Sequence, residues 1–280
     1  MRRTSTIVIG GGQAGLAMSA CLAHRQISHV IFERHRVAER WQSGHWDSLR
    51  LLTPNWMTRL PGFTYSGPEP DGFMRAADVA TLLKTYAGEI SAPVLTGTDV
   101  ISIESADGGY IAHTSAGTWS APTVVIATGY SDTPHIPAFA NCLPRGIRQL
   151  HAARYRSPES LPNGKVMVVG ASSSGLQIAY ELAAAGRAVT LAVGRHIRMP
   201  RRYRGHDVMW WLDRAGILDE RAENVADIGR SRQQPSLQLS GQPALQDLNL
   251  AVAQRLGVRL AGRLISVDGK IGRASCRERV

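Results

Sequence analysis

Cysteine is scarce in this chain: 280 residues hold three, Cys21, Cys142 and Cys276. No two form a C-x-x-C pair and no His/Cys cluster has zinc spacing, so a dithiol redox centre and a structural zinc site are excluded. Long apolar runs are missing as well. None approaches the ~20 residues that crossing a membrane requires. Met1-Arg2-Arg3-Thr4-Ser5 leads straight into an apolar strand with no signal-peptide pattern, so a cytoplasmic protein is expected. Acidic residues are outnumbered, 22 against 32 basic, giving a formal charge of +10. Such a charge would suit nucleic acid or an anionic surface. The basic residues concentrate between Arg195 and Arg204, however, where a narrower explanation exists, and no nucleic-acid partner is expected.

What the chain does have is 44% hydrophobic content, enough for a large core and more consistent with two domains than one. Its opening stretch, Ile7-Val8-Ile9-Gly10-Gly11-Gly12-Gln13-Ala14-Gly15-Leu16, reads as a buried strand, a G-x-G-x-x-G turn and the start of an apolar helix. Gly10 permits the tight turn. Gly12 lets the backbone approach a pyrophosphate, and Gly15 lets helix and strand pack closely. Phosphates would sit on the free amides of the helix start. A second strand, His29-Val30-Ile31-Phe32, ends in Glu33, where a carboxylate accepts hydrogen bonds from a ribose.

The pattern returns later. Lys165–Val169 reads as a strand, Gly170-Ala171-Ser172-Ser173-Ser174-Gly175 as a turn, Leu176–Ala185 as a helix and Ala188–Val193 as the next strand. This second βαβ unit ends in Gly194-Arg195 instead of a carboxylate. A carboxylate selects a free ribose 2′-hydroxyl, while arginine accommodates a 2′-phosphate. Arg198, Arg201, Arg202 and Arg204 add positive potential. The first unit therefore suits FAD or NAD, and the second suits NADPH. Ser172 replaces the middle glycine of the turn, and its hydroxyl can still donate to phosphate.

Between the units, residues 34–56 show neither period and read as a long ordered loop. Residues 76–90 read as a helix with core positions Val79, Leu82, Leu83 and Tyr86. A meander is expected from strands Val100–Ile103 and Tyr110–Thr114 with turns at Gly108-Gly109 and Gly117, followed by the apolar strand Thr123–Ala127 and Thr128-Gly129-Tyr130. After the second unit, Asp207–Leu212 reads as a short helix, either core or the lining of an apolar substrate cavity. Residues 246–269 give a helix around Leu248, Leu250, Val252 and Leu256, then strands Val258–Ala261 and Leu264–Val267. Residues 271–280 show neither period. They back-translate to ATC GGA AGA GCG TCG TGT AGG GAA AGA GTG, which resembles a sequencing-library adapter read in frame. The expectation is that residues 270–280 are foreign and that the natural chain continues beyond about Gly269. Without 271–280, which carry three Arg and one Glu, the charge falls from +10 to +8.

Two βαβ units in this order, with Ala127-Thr128-Gly129-Tyr130 between them, resemble the class B flavoprotein monooxygenases, and within them the bacterial flavoproteins associated with cation efflux. Supporting segments are Glu39-Arg40-Trp41, Trp46–Leu51, Thr53-Pro54, Gln149-Leu150-His151 with Tyr155-Arg156, and Pro200–Gly205. The signature F-x-G-x-x-x-H-x-x-x-[YWF] is only partly met. Gly146 lies one residue too far from His151, and Arg145 holds the aromatic position. Tyr155 fits the last position. Leu52 stands where flavin-containing monooxygenases keep an Asn near the flavin.

The resemblance implies an α/β fold of two Rossmann-like domains: an FAD domain over 1–155 whose returning segment is missing, and an inserted NADPH domain over 156–269. Candidate FAD contacts are Gly10, Gly12, Gln13, Ala14, Gly15, Glu33, Arg34, Arg40, Trp41, Leu52, Thr53, Val100, Thr128 and Gly129. Candidate NADPH contacts are Gly170, Ser172, Ser173, Ser174, Gly175, Arg195 and Arg202. The implied chemistry is hydride transfer from NADPH to FAD, addition of O2 at the flavin C4a carbon and oxygenation of a small organic nucleophile or ketone by the peroxyflavin. The cofactor supplies that chemistry, so no general acid or base is assigned, and His151 reads as a linker residue. An oxidase or reductase that never oxygenates, which the Leu52 departure would suit, and a non-enzymatic flavin redox sensor stay open beside the monooxygenase.

Overall fold

The computed structural model describes all residues except 131, 132, 235, 236, 244, 246, 269, 270 and 275–280, and describes only the backbone at 237, 268 and 271–274. Cys276 and most of the anomalous tail lie outside the described residues. The chain divides into two compact units. The first comprises Met1–His45, Arg59–Tyr65 and Arg75–His135, and the second Trp46–Thr58, Ser66–Met74 and Ile136–Val280.

The first unit is built on a parallel sheet in the order Thr123–Ile126, Thr6–Ile9, His29–Phe32, Val94–Leu95. Ile9 registers with both Phe32 and Ile126. The central strand is β-branched throughout, as suits a strand buried on both faces, and Ile7 and Val8 are fully buried. The helix Gln13–His24 connects the central strand to the next, sealing Leu16 against the sheet. The helix Ala76–Glu89 buries Ala76, Val79, Ala80, Leu83 and Tyr86, all on the 3–4 spacing of one helical face. Leu82 is only partly covered.

A second sheet orders Val100–Ala106, Gly109–Thr114 and Gly117–Ala121 antiparallel, with Arg2–Arg3 added parallel to the last. Gly117 thus opens a third strand rather than only a turn. Thr118, Trp119 and Ser120 carry no apolar run, and the strand is held by pairing and by Trp119, whose ring meets Phe32 edge-on at 5.4 Å. The long loop also carries more structure than its pattern suggests. A left-handed Ala38, φ 58°, starts a short helix, Glu39–Ser43.

In the second unit a parallel sheet orders Val166–Val169, Val189–Ala192, Arg259–Ala261. Helices Ser173–Ala184 and Leu250–Arg255 cover it, burying Leu176, Ala179, Leu182, Leu191 and Ala253. Trp46 and Tyr155 belong to the same core, which explains why Trp46–Thr58 joins this unit and not the first. A hairpin pairs Arg202–Tyr203 with His206–Asp207 and runs into the helix Val208–Arg214. Near the end, Leu264–Asp268 pairs antiparallel with Ile271–Ala274, so the first residues of the stretch that lacks a period do take strand backbone. Among the described residues no helix is long and apolar enough to cross a membrane.

Candidate functional site

The first glycine turn is fixed by close approaches that leave no room for side chains. Gly10 has φ 110°, and a Cβ there would lie 2.4 Å from the Ala127 carbonyl oxygen. A Cβ at Gly15 would lie 1.9 Å from the Gly10 oxygen, so the helix is seated directly on the turn. Gly12 differs: its backbone is extended, φ −90°, and a Cβ would meet nothing within 4 Å. The turn is closed on the protein side and open at Gly12. The amides of Gln13, Ala14 and Gly15 have no acceptor among the described residues, whereas Leu16 N donates back to Gly12 O at 3.0 Å. Open backbone plus free first-turn N–H groups is the arrangement an anionic pyrophosphate requires.

Glu33 closes the other side. Its Oε2 accepts from Gly11 N at 2.7 Å and its Oε1 from His35 N at 2.9 Å. A carboxylate has about four lone-pair sites, so acceptor capacity remains for ribose hydroxyls. Gly11 was not singled out by the spacing rule, yet a Cβ there would sit 3.0 Å from Glu33 Cβ. The glycine triplet was the available signal.

The remaining first-unit candidates scatter more widely. Thr128 and Gly129, φ 84°, are exposed just past the strand that abuts Gly10. Arg34 is exposed and Arg40 half-buried. Trp41 faces His45 with ring centroids 5.0 Å apart. Val100 packs on the apolar cluster of Ile7, Val30 and Phe32. Leu52 and Thr53 belong to the second compact unit, where Leu52 packs with Val208, Met209 and Leu239.

The second turn repeats the first. Gly170 has φ 99°, and a Cβ at Gly175 would lie 1.9 Å from the Gly170 oxygen. Ser172 caps the helix with its backbone only, makes no side-chain capping bond and is exposed, leaving its hydroxyl for a phosphate oxygen. Ser173 and Ser174 follow in the first helical turn. Gln238, absent from the expected site, is buried beneath this turn and donates from Nε2 to Ala171 O at 2.7 Å. No periodicity marks it. Arg195 is exposed at the strand end. Arg202 is exposed too, and its Nη2 donates to Gly205 O at 2.5 Å within its own hairpin.

Arg201 departs from expectation. The basic run suggests a solvated cation near a phosphate, but Arg201 is 2% exposed. Its Nε donates to Asp207 Oδ2 at 2.7 Å, its Nη1 to Leu52 O at 2.6 Å and its backbone N to Asp247 Oδ1 at 2.6 Å. The guanidinium lies 4.3 Å over the Phe73 ring. Burial pulls its pKa down, and the facing Asp207 carboxylate opposes that pull. Arg201 is therefore a structural cation, not a free phosphate ligand. His151 is structural as well: its Nδ1 accepts from Ala153 N at 3.2 Å, capping a short turn. The buried phenol of Tyr155 donates to Glu181 Oε2 at 2.8 Å, and burial raises its pKa.

Two glycine turns of this kind, each between a parallel strand and a helix, define a protein with two Rossmann-like βαβ units. The chain belongs to the pyridine nucleotide-disulphide oxidoreductase family, whose model matches residues 7–213, and within it the chain is of the class B flavin monooxygenase-like kind. It is 38% identical over 215 residues to an uncharacterized CzcO-like oxidoreductase of Geobacillus kaustophilus, covering 76% of this chain and 61% of that one. It is 31% identical over 252 residues to the uncharacterized oxidoreductase CzcO of Bacillus subtilis, covering 89% and 70%. A flavin-containing monooxygenase from Stenotrophomonas maltophilia shares the fold with a TM-score of 0.72, at 22% identity, over 98% of this chain and 76% of that chain. The family's name refers to a disulphide, and no C-x-x-C pair occurs here.

Proposed function

We propose that the protein is an FAD- and NADPH-dependent monooxygenase that uses O2 to oxygenate a small organic substrate at nitrogen, sulfur or a ketone. The observation that carries this reading is the pair of glycine turns with opposite strand-end chemistry, Glu33 after the first and Arg195 after the second. The pyrophosphate of FAD would lie on the amides of Gln13, Ala14 and Gly15 with its ribose on Glu33. NADPH would lie on the turn 170–175, with Ser172 donating to its pyrophosphate and Arg195 facing its 2′-phosphate. Bound FAD would supply hydride acceptance and oxygen activation, chemistry that belongs to the cofactor. The chain's own part is to bind, orient and exclude water.

One observation favours a second reading, an NADPH oxidase. Leu52 contributes an apolar side chain, with no hydrogen-bonding group of its own, to the Val208, Met209 and Leu239 cluster. Product analysis of aerobic NADPH oxidation by the full-length protein separates the two. An oxygenated product in step with NADPH consumption supports the monooxygenase. Hydrogen peroxide alone, across amines, sulfides and ketones, refutes it.

Two substitutions test the cofactor assignment. Glu33→Ala removes the ribose acceptor and the partner of Gly11 N, and should weaken flavin retention by about 1–3 kcal/mol. Flavin content after gel filtration reads this, and wild-type retention would reduce Glu33 to a turn-holding group. Arg195→Ala removes a charge-assisted contact, about 1.5–3 kcal/mol. The apparent KM for NADPH should rise roughly ten- to a hundredfold, while that for NADH barely moves. Equal rises would place the 2′-phosphate elsewhere.

A further inference from the structure

We propose that a cleft on the helical side of the second unit binds a small phosphate monoester, apart from the glycine turn. The cleft has a volume of about 450 Å³, within the range of small-molecule sites. Tyr180 on the helix Ser173–Ala184, Arg198 beside the hairpin and the stretch from Asp247 to Leu256 form its walls. None of residues 170–175, nor Arg195, lines it. The site is therefore separate from the proposed coenzyme turn, and its test does not depend on that assignment.

The walls present donors in excess. Among the described residues the Arg198 side chain has no hydrogen-bond or ion-pair partner, and the Arg255 side chain uses only its Nε, donating to Ala251 O at 3.3 Å. Asn249 Oδ1 accepts from Val252 N at 3.1 Å, which leaves its Nδ2 group unengaged. The Tyr180 hydroxyl likewise has no partner among the described residues. The one lining carboxylate, Asp247, already accepts from Arg201 N at 2.6 Å through Oδ1. Two guanidinium groups against one carboxylate leave the walls net positive, which favours an anion, and the guanidinium fork matches phosphate oxygens. Val252 and Leu256 add apolar wall, and Leu256 is 41% exposed. Apolar surface beside paired cations fits an organic body attached to the phosphate better than the inorganic ion.

Calorimetric titration of the full-length protein with phenyl phosphate, and in parallel with inorganic phosphate, tests the site. Phenyl phosphate should bind saturably and more tightly than inorganic phosphate. Saturating NADP+ should leave that binding unchanged, as should Arg195→Ala. Arg198→Gln with Arg255→Gln should weaken it at least tenfold while the melting temperature without ligand stays near wild type. Both side chains are exposed, and either single substitution should give a partial loss if the double variant is unstable. Absent binding, equal binding in the double variant, tighter binding of inorganic phosphate, or displacement by NADP+ would each overturn the proposal. Displacement would assign the cleft to the coenzyme.

Discussion

Gly15→Ala is expected to be among the most damaging single-methyl changes this chain can suffer, while Gly12→Ala should leave the fold intact. The contrast comes from geometry at neighbouring positions. A Cβ at Gly15 would sit 1.9 Å from the Gly10 carbonyl oxygen, a backbone atom that cannot rotate away. The helix Gln13–His24 would have to lift off the central strand, opening the seal over Leu16 and Val8. Overpacking in a dense core costs about 1–3 kcal/mol, and a backbone clash this short belongs at or beyond the upper end. Gly175→Ala should behave alike in the second unit, since its Cβ would meet the Gly170 oxygen at the same distance. A Cβ at Gly12 meets no protein atom within 4 Å, and its φ of −90° suits alanine. It would occupy the space the proposed pyrophosphate needs. Thermal melts and flavin binding on both variants check this. Gly15→Ala should lose both stability and flavin, and Gly12→Ala only flavin. A Gly15→Ala protein as stable as wild type would refute the tight seating of helix on turn.

Asp207→Ala should cost about 3–5 kcal/mol of stability, because it strands a buried charge. Arg201 and Asp207 are 2% and 6% exposed and 2.7 Å apart. With Asp207 gone, the guanidinium keeps the Leu52 carbonyl, the Phe73 ring and the charge of Asp247. Met209 N loses its cap as well, since it donates to Asp207 Oδ1 at 2.8 Å. Replacing both partners by apolar residues, Arg201→Met with Asp207→Leu, removes the charges together and should cost markedly less than Asp207→Ala alone, as buried pairs generally behave. Urea unfolding of the single and double variants reads the difference, with the slope checked for constancy. A loss below about 1 kcal/mol for Asp207→Ala would mean that water reaches Arg201.

Both glycine turns were legible in the sequence because their geometry is local. Gly10, Gly12, Gly15 and Glu33 fall on one strand, one turn and the next strand end, and glycine has few other reasons to recur at that spacing. The strands His29–Phe32 and Val189–Ala192 announced themselves by the β-branched and apolar runs 30–32 and 189–192. What stayed hidden depends on partners distant in the chain. Arg201 looks like its solvated neighbours Arg202 and Arg204, and only the folded positions of Asp207, Leu52 and Phe73 bury it. Gln238 carries no pattern, and its role follows from the parallel pairing of Leu237–Gln238 with Ile197–Arg198. The strand Gly117–Ala121 is polar and short, so its existence rests on ladder pairing that composition does not encode.

The contact between Gly10 and the carbonyl of Ala127 bears on the order of folding. Strand Thr6–Ile9 pairs with His29–Phe32 nearby and with Thr123–Ile126 far along the chain. The floor of the first cradle is therefore laid only when a distant segment arrives, and such non-local closure is slow. During synthesis the opening glycines must wait, with the apolar strand beside them unprotected on one edge. Among the described residues, a Cβ at the second turn's Gly170 would meet nothing within 4 Å. Val166–Val169 pairs with Val189–Ala192 across a single helix, so the two strands flanking the second turn come from one contiguous stretch, whereas the first turn also waits for the strand Thr123–Ile126.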